Sequence, residues 1–156
     1  MSEGLSYEIV PLAEEHLDQL MAIENASFAV PWRREEYLYD IKMNKLAHYV
    51  AVVAGDKLLG YGGMWLIFNE GHINNIAIHP EMRGKRIGEA VLAALSELCC
   101  SLGGDRLTLE VRESNLSALR LYERMGFVAA GIRPNYYSDN REAAIIMWLQ
   151  LTGVKK

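Results

Sequence analysis

The chain has 156 residues, 51% of them hydrophobic and 23% charged, with a net charge of −4. That length predicts one domain over residues 1–156, able to bury a core without metal or disulfide staples. The acidic balance argues against nucleic-acid binding, which needs a basic surface to neutralise phosphates, and leaves a normally solvated surface as the plain reading.

Met1 to Tyr7 lack a basic segment followed by an apolar stretch, so no signal peptide is expected. No apolar run approaches the ~20 residues of a membrane helix, so the expected location is the cytoplasm, with no membrane partner. Cys99 and Cys100 are adjacent and point apart on a helix, which argues against a disulfide between them. His16, His48, His72 and His79 are scattered and form no zinc pattern, so no metal is expected.

In chain order, Leu5 to Leu12 reads as a first strand. Glu14 to Ala26 places Leu17, Leu20, Met21 and Glu24 at helical spacing. Phe28-Ala29-Val30-Pro31-Trp32 interrupts the helix, because proline disfavours helix in the residue before it. Arg33 to Asn44 resumes helix with Tyr37, Leu38 and Ile41 inward. His48 to Ala54, Leu58 to Phe68 and His72 to His79 read as an antiparallel meander, turning at Gly55-Asp56-Lys57 and Asn69-Glu70-Gly71.

A loop from Pro80 to Arg86 then leads into a long helix, Ile87 to Leu102. Its stripe Ile87, Val91, Leu92, Leu95, Leu98, Cys99 and Leu102 has the helical period, which makes Cys99 a core residue rather than a nucleophile. Gly103-Gly104 ends this helix. Arg106 to Arg112 alternates Leu107, Leu109 and Val111 with Thr108, Glu110 and Arg112, as a strand does. Ser114 or Asn115 caps a short helix running to Met125, and Gly126 stops it. Strands at about Phe127 to Ile132 and Ala143 to Leu151 flank a polar loop. The order predicts an α/β fold, a mixed, mostly antiparallel central sheet with helices on both faces.

Chemistry concentrates at Arg83-Gly84-Lys85-Arg86-Ile87-Gly88, between a strand and a helix start. Such a junction exposes backbone N–H groups in the positive end of the helix dipole. Glycines let a ligand approach the backbone and three cations supply counter-charge, so a pyrophosphate suits the loop; a plain solvated turn is the other reading. The spacing meets neither a Walker A loop nor a dinucleotide fingerprint.

With its preceding His79-Pro80-Glu81-Met82, this segment resembles the acetyl-CoA pyrophosphate loop of the GNAT superfamily, Arg/Gln-x-x-Gly-x-Gly/Ala. Arg86 stands where the family usually has its first glycine. Leu109-Glu110-Val111-Arg112, Ser114-Asn115, Leu121-Tyr122-Glu123, Gly126-Phe127 and Arg133-Pro134-Asn135-Tyr136-Tyr137 follow one another as in RimI-type enzymes, as does Phe28 to Trp32. Those enzymes acetylate the N-terminal alanine of a small-subunit ribosomal protein.

The resemblance implies acetyl-CoA as co-substrate, a ribosomal-protein amino terminus as partner, and the GNAT fold. It implies Glu110 as general base and Tyr122 as general acid. Ile76, Ala77, Ile78, Arg83, Gly84, Lys85, Arg86, Ile87, Gly88, Glu89 and Asn115 would hold the cofactor. Phe28, Pro31, Trp32, Asn135, Tyr136 and Tyr137 would enclose the substrate.

The amine chemistry agrees with a carboxylate base. An α-amino group has a pKa of about 8 against ~10.4 for lysine, so deprotonating lysine costs roughly 3 kcal/mol more. Each assignment keeps a bland counterpart. Glu110 could instead pair with Arg112 or Arg120, Tyr122 could pack on the sheet, Ile76 to Ile78 could be plain core strand, and the aromatic loops could be sheet-edge packing. A GNAT enzyme acting on lysine or a small amine, and a non-catalytic acyl-CoA-binding module, are the competing functions.

Overall fold

The structure is a computed structural model in which residues 6–151 are described. Seven strands, Glu8–Pro11 (β1), Ala47–Ala54 (β2), Lys57–Ile67 (β3), Glu70–Ile78 (β4), Arg106–Arg112 (β5), Val128–Arg133 (β6) and Ala144–Gln150 (β7), form one sheet. Their order is β1-β2-β3-β4-β5-β7-β6, with β4 and β5 parallel and the β1/β2, β2/β3, β5/β7 and β6/β7 pairs antiparallel. Helices Leu17–Ser27 (α1), Arg34–Lys42 (α2), Ile87–Ser101 (α3) and Leu116–Arg124 (α4) flank it. This is the mixed, mostly antiparallel α/β architecture expected of the GNAT fold. Leu5, the expected start of the first strand, lies outside the described residues.

Three local expectations are corrected. The first helix opens with a 3-10 turn, Glu14–His16, because His16 Nδ1 accepts the Ala13 N–H at 2.9 Å and closes a tight entry. The β3–β4 reversal falls at Phe68 and Asn69, not at Asn69-Glu70-Gly71, and Glu70 and Gly71 already belong to β4. Phe68 carries the turn at φ 56 with 95% of its surface exposed. Leu102 leaves the buried stripe of α3 and is 44% exposed, since the helix ends at Ser101 and Gly103 turns the chain at φ 95.

The described residues divide into two compact units. The first holds residues 6–65 and 74–95, with a core of Leu12, Leu17, Leu20, Ile23, Tyr37, Tyr49, Ala51, Leu58, Tyr61 and Ala77. Each fully buried aliphatic side chain there contributes roughly 1.5–3 kcal/mol. Tyr37 is the buried residue of α2 together with Asp40, while Leu38 and Ile41 are partly covered. β3 is glycine-rich for close approach. A Cβ at Gly63 would stand 2.0 Å from the Tyr49 ring.

The second unit holds residues 66–73 and 96–151, with Cys99, Leu107, Leu109, Val111, Phe127, Ala144 and Met147 buried. β5 pairs with β7 along its whole length, from Arg106↔Gln150 to Arg112↔Ala144. Thr108 is buried although it alternates with the apolar face of β5. Its hydroxyl donates to the Met147 carbonyl at 2.9 Å, which satisfies the polar group. Cys99 packs in this core, where burial pushes its thiol up to about 11, away from nucleophile chemistry.

Candidate active site

In the first unit, β4 is closed by His79 N–H donating to the Leu59 carbonyl at 2.8 Å, and Pro80–Met82 makes one 3-10 turn. Residues 83–86 follow as an exposed loop. Gly84 sits at φ 80 and Arg86 at φ 66, so the arginine that replaces the family's glycine adopts the conformation glycine would have supplied. A left-handed non-glycine residue costs roughly 1–2 kcal/mol, a strain that persists mostly at functional positions. The first bond of α3 joins Ala90 N–H to the Arg86 carbonyl, so the N–H groups of Ile87, Gly88 and Glu89 precede the helical ladder. Ile87 itself is buried.

The cations of the loop are lightly held. Arg83 Nη2 donates to Ser27 Oγ at 3.2 Å, and Arg86 Nη1 stands 3.8 Å from Glu89 Oε1 with its side chain 84% exposed. Backbone donors, dipole and exposed positive charge together fit a pyrophosphate. The parallel ladder of β4 with β5 runs through Glu70↔Arg106, Gly71↔Leu107 and His72↔Thr108. Ile76, Ala77 and Ile78 therefore lie beyond its last rung, with Ala77 buried and its neighbours partly so.

Phe28, Pro31 and Trp32 are partly buried, and Phe28 and Trp32 rest against the core of this unit. The Trp32 ring lies 5.2 Å from that of Tyr37 at 46°, so packing and any binding role share the same side chains. Beneath this segment is a buried carboxylate network that sequence reading missed. Glu24 Oε1 accepts from the Tyr37 hydroxyl at 2.6 Å and from the Tyr61 hydroxyl at 2.5 Å. Its Oε2 accepts from Trp32 N–H at 2.8 Å and from Asn75 Nδ2 at 3.2 Å. Desolvation drives the Tyr37 and Tyr61 phenols far above their usual range, so both remain donors. Asp40 makes a second network, accepting from Tyr49 at 2.7 Å, Trp65 Nε1 at 2.9 Å and Asn44 at 3.0 Å.

In the second unit, Glu110 stands exposed on β5. Its ion-pair partner is Arg133, with Nε 3.7 Å from Oε2, rather than Arg112 or Arg120. Tyr122, in α4, packs on Phe127 with ring centroids 5.7 Å apart. Burial, and to a lesser extent Tyr137, pushes its phenol up to about 12, so it stays protonated. Asn115 is the cap of α4, with Oδ1 accepting the Ala118 N–H at 3.2 Å. Its amide nitrogen is the group left to donate to a ligand.

Asn135 takes φ 55, and the Tyr136 and Tyr137 rings meet edge to face at 5.0 Å. Burial raises both phenols, Tyr137 to about 12. Arg112, read from sequence only as a possible partner for Glu110, instead binds the loop that follows these tyrosines, through Asp139 and Glu142. The two acids Asp139 and Glu142, three residues apart in the polar loop, were the available sequence signal. Among the described residues no group of three or more His, Cys, Asp and Glu is placed to hold a metal, and no helix is long and apolar enough to cross a membrane.

A helix-flanked mixed sheet with a cationic, strained loop opening its longest helix defines the class. The chain belongs to the acetyltransferase (GNAT) family, whose model matches residues 17–127, and is an acetyl-CoA-dependent acetyltransferase. Within that family it is a member of the RimI-like branch. It is 41% identical over 137 residues to a Bacillus subtilis (strain 168) protein provisionally named a ribosomal protein bS18-alanine N-acetyltransferase, covering 88% of this chain and 91% of the relative. It is 34% identical to the ribosomal protein bS18-alanine N-acetyltransferase of Escherichia coli (strain K12), covering 83% and 88%. The crystal structure of the ribosomal-protein-S18-alanine N-acetyltransferase from Escherichia coli superposes with a TM-score of 0.84 at 31% identity, over 94% of each chain.

Proposed function

We propose that the protein acetylates the α-amino group of protein chains, with the N-terminal alanine of a small-subunit ribosomal protein as its substrate, in the cytoplasm. The observation that carries the reading is Glu110, an exposed carboxylate whose ion-pair partner among the described residues, Arg133, stands at 3.7 Å, beyond hydrogen-bonding distance. A carboxylate so placed can exchange Arg133 for an amine at little cost. The names of the relatives supply the substrate class.

In this reading the loop from Arg83 to Gly88, with Glu89 in the first helical turn, cradles the pyrophosphate of acetyl-CoA. The backbone of Ile76, Ala77 and Ile78 bonds the pantetheine arm and the thioester carbonyl, where a donor stabilises the developing oxyanion. Asn115 donates its amide to the cofactor. Phe28, Pro31, Trp32, Asn135, Tyr136 and Tyr137 enclose the first residues of the acceptor. The neutral amine attacks the thioester carbonyl carbon directly, and its proton passes to Glu110, through a water or without one. The C–S bond breaks, and the departing thiolate takes the Tyr122 proton. Tyr122 at about 12 is a weak acid, and a thiolate needs only modest help.

Acetyl-CoA incubated with peptides beginning Ala, Ser or Met, followed by mapping of the acetyl group by mass spectrometry, tests the proposal. Acetate on the α-amino group, most rapidly with Ala, is expected. Acetate on lysine alone would overturn it.

A further inference from the structure

We infer that Arg112 is a positioning residue that sets Tyr136 and Tyr137 for the acceptor peptide; the inference rests on the N-terminal acetyltransferase reading above. Arg112 lies two residues after Glu110 on β5, on the same face of the strand. Its Nη2 donates to both carboxylate oxygens of Asp139, each at 3.1 Å. Nη1 donates to Glu142 Oε1 and to Asn140 Oδ1, each at 3.3 Å. The face of the guanidinium is covered by the Tyr137 ring, with Cζ 4.0 Å from the centroid.

The loop closes around this one group. Glu142 Oε2 accepts the Ser114 N–H at 2.7 Å, and the Glu142 carbonyl accepts both the Tyr136 and Tyr137 N–H groups at 3.1 Å. Arg141 N–H returns to the Tyr137 carbonyl at 2.8 Å. Tyr136 is then oriented at second hand, by its edge-to-face contact with Tyr137, and keeps 46% of its surface exposed. A chain of contacts therefore runs from β5 through Arg112 to Tyr137 and on to Tyr136. Only a planar cation does both jobs. The fork fixes two carboxylates in the plane while the ring stacks on its face, which an ammonium cannot reproduce.

The test is steady-state kinetics of Arg112→Lys and Arg112→Met with an Ala-starting peptide and acetyl-CoA, alongside thermal melts. Peptide KM should rise about ten-fold or more in both variants while acetyl-CoA KM stays within about two-fold, because misplacing a binding group loses acceptor contacts selectively. Lysine should fail to rescue although it keeps the charge. Unchanged peptide KM, or both KM values rising together, would overturn the inference. Should Arg112→Met fail to fold, Asp139→Asn loosens the same clamp from the other side and is held to the same criteria. Tyr137→Leu combined with Arg112→Met should be non-additive in peptide KM; independent effects would also overturn it. Glu110→Gln separates the two levels. If it transfers acetate at the wild-type rate, the base assignment falls. If it is inactive while the Arg112 variants keep their peptide KM, only the present inference falls.

Discussion

Glu24 and Asp40 in the first unit are buried and receive hydrogen bonds from neutral groups, two tyrosines, a backbone N–H and an asparagine for one, a tyrosine, a tryptophan and an asparagine for the other. Glu110 in the second unit lies nearer solvent, beside Arg133. A buried carboxylate is tolerable only when every lone pair is met, so its partners become fixed in place. A carboxylate near solvent changes partners cheaply, as a proton acceptor must. On the proposed mechanism the same functional group serves as a fastener at Glu24 and Asp40 and as a reagent at Glu110.

The isosteric change Glu→Gln at both positions tests this division most directly. Glu110→Gln should lower kcat about 100-fold or more while changing unfolding free energy by less than about 0.5 kcal/mol, as kinetics and urea denaturation would report. Comparable activity would dissolve the distinction. Glu24→Gln should do the reverse in stability, because its amide turns a donor towards groups that are themselves donors. A loss of roughly 1–3 kcal/mol is expected in the same denaturation experiment.

Alkaline pH sharpens the contrast further. The phenols of Tyr122 and Tyr137 ordinarily ionise at 10.0, and burial holds them at about 12 in the folded chain. Above pH 10 the unfolded chain releases protons that the folded chain retains, so stability is full below pH 10 and falls as pH rises towards 12. Tyr37, Tyr49 and Tyr61 are raised further still and steepen the loss. Melting temperature followed with tyrosinate absorbance should decline only above pH 10. A decline beginning near pH 8 would contradict the buried-phenol account.

The smallest effect concerns Arg86. Arg86→Gly should relieve the left-handed strain and stabilise the fold by about 0.5–1 kcal/mol, while weakening acetyl-CoA binding through the lost cation. Differential scanning of the apo protein and a binding isotherm would read the two terms separately.

Much of the fold could be read from sequence because its signals are local. Alternation set the bounds of β5, the period of α3 marked its buried face, and Gly103 and Gly126, at φ 95 and φ 102, follow α3 and α4, which end at Ser101 and Arg124, one residue before the expected bounds. The β3–β4 turn was misplaced because Phe68, which no turn rule favours, takes the left-handed position in place of a glycine or asparagine. Helical spacing put Glu24 on an inward face but could not name Tyr61 as its partner, 37 residues further on. Arg112 went unread for the same reason, since its acids lie 27 and 30 residues away and are brought near only by the return of β7. Local composition pointed to the loop Arg83 to Gly88 as a proposed anion cradle, whereas the roles proposed for Glu110 and Tyr122 came from resemblance.

The glycine at 63 has a consequence for how this chain can drift. The space of its absent side chain is filled by the Tyr49 ring, whose hydroxyl in turn ties down Asp40. A larger residue at 63 evicts the ring and leaves the carboxylate short of a donor. Positions 49 and 63 can therefore change as a pair but not one at a time, and an assay of acetyl transfer would score position 63 as indispensable although it carries no chemical group at all.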